Sequence, residues 1–222
     1  MNAAAVVPLS DQAILIYFPN ESTAAAFAEH ARRQPAPWLL DVVQAYASVA
    51  VFFDLARIPF ADAERHVQQW RQESLKHVSE VTGKLHHIPC WYDSWLDMER
   101  VMAHTGLTAA DVIRWHSETE YTVFAIGFCP GFPYLGYLPP ALQGVPRLPQ
   151  PRLRVEAGSV GLTGQQTGIY TEARPGGWNI IGRAPLRLVD VADGYFPLRT
   201  GDRVRFVPIS EDEYFRLLGQ RL

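Results

Sequence analysis

The sequence predicts an α+β protein in two parts, a small βαββα sandwich over residues 1–83 and a β-barrel domain over residues 84–222. Two observations carry this. Up to about residue 81, short apolar runs alternate with segments of helical periodicity. Beyond residue 120, helix signals vanish until the last dozen residues, and short β-rich runs alternate with glycine and proline turns, the pattern of a closed or nearly closed barrel. A chain of 222 residues that is 48% hydrophobic can bury the cores that two such units need.

The elements follow in order. QAILIYF (12–18), bounded by Asp11 and Pro19, reads as a buried strand. A helix follows, capped by Asn20 or Ser22, rich in alanine, with cations in its last turn and Pro35 and Pro37 beyond its end. LLDVVQAY and SVAVFFDL are two β-rich runs separated by little more than a turn around residues 45–48, a hairpin pattern. After Pro59, the residues Val67, Trp70, Val78 and Val81 recur at helical spacing, so one amphipathic helix is expected over 62–81. His66 and His77 fall on its polar face and read as solvated.

LHHIPCWY opens the second part as a strand, in which the adjacent His86 and His87 point to opposite faces and do not share a metal. Ser94-x-x-Asp97 and Thr108-x-x-Asp111 resemble capping boxes, each opening a short helix between residues 94 and 117, with Gly106 between them. The second helix places His116 in its last turn. YTVFAIGF, LRVEAGSVGL, GWNIIGR, LRLVDV and DRVRFVPI then supply barrel strands, and EDEYFRLLGQRL suits a terminal helix with acids at its start and arginine at its end.

Charge and motifs exclude several classes. A net charge of −3 is unlike that of a protein held to nucleic acid or anionic membrane by a general positive field. Lys76 and Lys84 are the only lysines, so the later cationic groups are guanidinium forks suited to carboxylate or phosphate. Cys90 and Cys129 make neither a disulfide framework nor a zinc CxxC. MNAAAVVPLSD lacks the basic start of a signal peptide, and no apolar run approaches about 18 residues, so a soluble cytoplasmic protein is expected. There is no GxxxxGK[ST] loop, and Ala157 stands where a GxSxG elbow around Ser159 needs glycine. Gly158, Gly161, Gly164 and Gly168 do not have dinucleotide GxGxxG spacing and sit among β signals. Cys129, inside GFCPGF, has no adjacent base and reads as a packing residue.

Five blocks carry a resemblance: HSETEYTV (116–123), GFCPGFPYLGYL (127–138), PRLPQPRLRV (146–155), GSVGLTGQQTGIY (158–170) and PGGWNIIGRAP (175–185). In this order they resemble the family of the bacterial 5-oxoprolinase B component, also called allophanate hydrolase subunit 1, which includes a sporulation-kinase inhibitor. The resemblance is strong over about the last 140 residues and weak over the first 80. Glu156 and Thr171 replace usual prolines, and CWY (90–92) replaces a valine-rich strand end; none of these removes a polar residue assigned to the site. The resemblance implies a small α/β sandwich before a carboxyltransferase-type, cyclophilin-like barrel. It also implies the B component of an ATP-dependent 5-oxoprolinase, a cyclic amide hydrolase that opens 5-oxo-L-proline to L-glutamate. Its implied partners are the C component, which is homologous and larger, and the A component, the complex using ATP with Mg and this chain alone holding no cofactor or metal. Inhibition of a sensor histidine kinase is the alternative, as is an allophanate or urea-carboxylase role; any biotin would sit on another chain, since no MKM motif is present.

The loops between Gly127 and Arg183 concentrate the residues suited to a small polar ligand. The expected polar ring is Arg147, Arg152, Ser159, Gln165, Gln166, Thr167, Tyr170 and Arg183, with Phe132, Tyr134 and Trp178 as apolar walls. Arginines fork onto a carboxylate or phosphoryl group, amides and hydroxyls read a lactam N–H/C=O pair, and aromatics desolvate both. Arg154, Arg187, Arg203 and Arg205 read as surface charges. His116 has two readings, a catalytic acid kept protonated by its helix C-terminus and a structural histidine bridging helix and barrel.

Overall fold

In the N-terminal third, strand residues alternate between a buried and a more open face, and two helices cover the buried one. The computed structural model describes residues 6–74, 83–92 and 96–222. The chain separates into two compact units, residues 1–82 and 83–222.

The first unit holds strands β1 (Val6–Ser10), β2 (Ala13–Tyr17), β3 (Leu39–Ala45) and β4 (Ser48–Phe53), with helices α1 (Glu21–Arg32) and α2 (Phe60–Ser74). The sheet is antiparallel in the order β1-β2-β4-β3. Strand β1 is absent from the sequence reading; Pro8 interrupts its pattern, and an edge strand tolerates the missing N–H. Asn20 is the cap of α1, its Oδ1 accepting from the Thr23 N–H at 3.0 Å. The β3–β4 turn consists of Tyr46 and Ala47, with Tyr46 at φ 52°. Ile14, Ile16, Phe27, Val51, Phe53 and Val67 are buried in the core, and Trp38 stacks on Trp70 with ring centroids 5.2 Å apart. The part of the expected second helix beyond residue 74, with His77, Val78 and Val81, lies outside the described residues.

The second unit contains β5 (Leu85–Cys90), α3 (Met98–Thr105), α4 (Ala109–Glu118), β6 (Glu120–Ile126), β7 (Pro133–Gly136), β8 (Arg152–Val155), β9 (Ser159–Thr163), β10 (Gln166–Ile169), β11 (Arg174–Gly176), β12 (Asn179–Arg183), β13 (Arg203–Pro208) and α5 (Glu211–Leu217). Seven strands form one sheet in the order β12-β9-β10-β7-β6-β13-β5. Its two ends meet where Trp91, just past β5, exchanges both backbone hydrogen bonds with Arg183 of β12 at 2.9 Å, which nearly closes the barrel. Ile88, Tyr121, Val123, Leu135, Leu162 and Phe206 fill the interior. Strands β8 and β11 pair separately as a two-stranded ribbon.

Several local expectations change. LRVEAGSVGL divides into β8 and β9 around Gly158, whose φ of +84° turns the chain. LRLVDV is not a strand: a sheet joined end to end offers it no edge, and Arg187 and Asp190 form single bridges to Arg221 and Tyr195 instead. Strands β7 and β10 arise in stretches whose glycines and prolines mask the β pattern. Asp97 is itself the N-cap position of α3 and makes no side-chain cap bond, because its carboxylate is bonded elsewhere; Ser94 lies outside the described residues. Thr108 does cap α4 through Asp111, and Ser210 caps α5 through the Glu213 N–H. Alternation along β5 buries His86 against Asp202 at 3.1 Å and exposes His87. No helix among the described residues is long and apolar enough to cross a membrane.

Candidate functional site

Strands β7, β9, β10 and β12 bring four of the expected aromatics together at one place on the barrel. Phe132 precedes β7, Tyr134 lies on it, Tyr170 follows β10 and Trp178 precedes β12. The Phe132 ring stands edge-on to Tyr134, Tyr170 and Trp178 at centroid distances of 5.0, 5.3 and 5.5 Å, the arrangement that aligns ring edges with ring faces. Glycine makes the room. A Cβ on Gly168 would stand 2.8 Å from the Pro133 carbonyl oxygen and 3.0 Å from Phe132, and one on its cross-strand partner Gly161 would stand 3.2 Å from Trp178. Gly176 lies under Tyr170 in the same way, a Cβ there falling 2.9 Å from the ring.

These rings line a cavity of about 230 Å³ whose single cationic wall residue, among the described residues, is Arg147. Among the described residues Arg147 forms no ion pair. Burial pushes the phenols of Tyr134 and Tyr170 upward, and the positive charge of Arg147 opposes the rise in both. The guanidinium is thus within electrostatic reach of two hydroxyls across a largely aromatic hollow. Phe128 stands at the cavity lip, 58% exposed, with φ 67° in the left-handed region that favours glycine.

The rest of the expected ring is elsewhere. Arg152 donates to Asp97 at 2.7 Å, and the Ile180 N–H satisfies the other Asp97 oxygen at 2.8 Å, so this arginine is a structural partner and not an open fork. Arg183 stacks over Tyr214 at 6.0 Å and faces a different, larger cleft of about 540 Å³. In that cleft Arg187 is paired with Asp190 at 3.0 Å, so its charge is largely compensated. Ser159 is buried on β9, and Gln165 and Gln166 form the β9–β10 hairpin end. The three arginines therefore do not form one clamp. Ion pairing by Arg154, Arg187 and Arg203 with Glu156, Asp190 and Glu120 agrees with their reading as surface charges. Cys90 and Cys129 are free and buried, Cys129 lying 3.4 Å from the Thr171 hydroxyl.

His116 and Thr167 lie inside the barrel, both fully buried and lining neither cleft. Thr167 donates its single hydroxyl proton to the Gly161 carbonyl at 3.0 Å and so accepts from His116 Nε2 at 2.8 Å; Tyr92 then donates to Nδ1 at 2.6 Å. Every polar atom in this row of hydrogen bonds is satisfied with a neutral imidazole. Burial lowers the His116 pKa to about 3, opposite to the protonated form expected from its place at a helix C-terminus. With no access to a ligand, the residue reads as the bridge between helix and barrel.

Three contributors to the site escape sequence reasoning. Asp97, Arg100 and Asn179 tie the loop that carries Arg147 to the start of β12, and their partners are 17 to 83 residues away. The only local signal is the place of Asn179 in the PGGWN block.

Residues 4–196 match the carboxyltransferase domain, subdomain C and D. The chain belongs to this family. Within the carboxyltransferase-domain family, it is 35% identical to the 5-oxoprolinase B component of Bacillus subtilis (strain 168), covering 93% of each protein. It is 47% identical to the 5-oxoprolinase B component of Escherichia coli O157:H7 over 153 residues, 68% of this chain and 69% of that protein. The crystal structure of TTHA0988 superposes with a TM-score of 0.77 at 35% identity, over 90% of this chain. That protein is longer, and the match spans 40% of it. The cavity residues Phe132, Tyr134, Arg147, Tyr170 and Trp178 all fall inside the segment that defines the carboxyltransferase-domain family.

Proposed function

We propose that this chain is the B component of an ATP-dependent 5-oxoprolinase complex, acting with a homologous C component and an A component to open 5-oxo-L-proline to L-glutamate. The names of the relatives supply the activity. The observation that supports a place for it is Arg147, a guanidinium without an ion pair among the described residues, on the wall of an aromatic cavity of about 230 Å³. 5-Oxoproline has matching parts: a compact ring for the rings of Phe132 and Trp178, and a carboxylate for the fork. Its lactam N–H and C=O suit the hydroxyls of Tyr134 and Tyr170. A charge-assisted hydrogen bond gains strength where aromatic walls exclude water.

Nucleotide chemistry belongs to a partner protein in this reading. The sequence has no GxxxxGK[ST] loop, which supports giving ATP and Mg to the other components. The role of this chain is to hold and orient the lactam while a partner covers the open side of the cavity.

Reconstitution tests the proposal. The A and C components are mixed with ATP, Mg and 5-oxoproline, and glutamate release is followed with and without this chain. Turnover that requires the chain is expected. Equal turnover in its absence would remove it from the reaction.

A further inference from the structure

We infer that Arg100, acting with the buried amide of Asn179, is the positioning residue that fixes Arg147 over the aromatic cavity. This rests on the reading of Arg147 given above. The stretch 146–151 contains Pro146, Pro149 and Pro151, so half of its residues lack an N–H and cannot build local backbone hydrogen bonds. It is held from outside. Asn179, fully buried, donates through Nδ2 to the Pro146 carbonyl at 3.0 Å and to the Leu162 carbonyl at 3.1 Å. Its Oδ1 accepts from Arg100 Nε at 2.9 Å, and Arg100 Nη2 reaches the Arg147 carbonyl at 3.4 Å. One guanidinium therefore joins the amide that grips Pro146 to the backbone of the next residue, whose side chain forms no ion pair among the described residues.

The surrounding anchors complete the strap. The Leu148 N–H donates to the Gly177 carbonyl at 2.8 Å, and Arg152, at the far end of the loop, is bound to Asp97. Asp97 and Arg100 stand three residues apart at the start of α3, so one helix face holds both ends of the loop. Arg100 does not itself line the cavity. Its effect on substrate must pass through Arg147, which separates the positioning role from a general role in folding.

A double-mutant cycle in the reconstituted complex reads this directly, with KM and kcat measured for 5-oxoproline in Arg147→Ala, Arg100→Ala, the double variant and Arg100→Lys. Arg100→Ala is expected to raise KM about tenfold with little change in kcat, because a displaced fork still carries its charge but meets the carboxylate at the wrong place. The double variant is expected to match Arg147→Ala alone. Lysine is expected not to restore KM, since an ammonium does not reproduce the planar fork that bonds two acceptors at once. If Arg147→Ala raises KM but Arg100→Ala does not, or if the two effects multiply, or if lysine restores KM, the positioning role is wrong while the carboxylate site stands. A normal KM in Arg147→Ala sinks the carboxylate reading and this inference with it.

Discussion

Arg147 and Arg152 lie on one proline-rich loop, yet their partners give them different uses. Arg152 neutralises Asp97, which is 5% exposed, so Arg152→Ala leaves a buried carboxylate with one oxygen unpaired. The expected cost is about 1.5–3 kcal/mol of stability. Urea denaturation of the two variants checks it: the midpoint of Arg152→Ala falls, and that of Arg147→Ala stays near wild type. His116 gives a pH signature. Above about pH 6.5 the imidazole is neutral folded and unfolded, and it adds no pH dependence. Between pH 6.5 and the folded value of about 3, the unfolded chain takes up a proton that the folded chain refuses, so stability falls as pH falls, by about 1.4 kcal/mol per pH unit. Replacing His116 with Asn should lower Tm at neutral pH and flatten the decline between pH 6 and 4 relative to wild type. A decline of unchanged slope would show that His116 is not buried in its neutral form.

At the scale of elements, what is legible in the sequence is local. Asn20, Thr108 and Ser210 cap helices through partners three residues away, a distance within reach of pattern reasoning. Asp97 carries the same kind of signal but serves another purpose, because its partner Arg152 is 55 residues distant and only the tertiary fold brings them together. The same limit scatters the expected polar ring. Residue type nominates Arg147, Arg152 and Arg183 alike, whereas the fold pairs the first with a cavity, the second with Asp97 and the third with Tyr214. Glycine hides β10 and also builds the site, since Gly161 and Gly168 face one another under Phe132 and Trp178. Gly168→Ala forces a methyl against the Pro133 carbonyl and the Phe132 ring, and a loss of about 1–3 kcal/mol is expected for such overpacking. Thermal unfolding measures it; an unchanged Tm would mean that the aromatic cluster has slack that the geometry denies.

For the whole molecule, the division into two compact units assigns the candidate chemistry to residues 83–222, where the cavity lies. Among its described residues, the first unit carries one-sided hydrophobic packing. That a carboxylate-bearing lactam sits against Arg147 is the central claim, and removing the carboxylate from the substrate tests it most directly. The reconstituted complex is given 5-oxoproline or 2-pyrrolidinone, the same lactam without its carboxylate, and kcat/KM is measured for each with wild-type chain and with Arg147→Ala. Wild type is expected to prefer 5-oxoproline, and Arg147→Ala to lose that preference by about 10²-fold while handling 2-pyrrolidinone almost as before, consistent with a charge-assisted pair of roughly 1.5–3 kcal/mol. A preference for 5-oxoproline that survives intact in Arg147→Ala would place the carboxylate elsewhere and contradict the assignment.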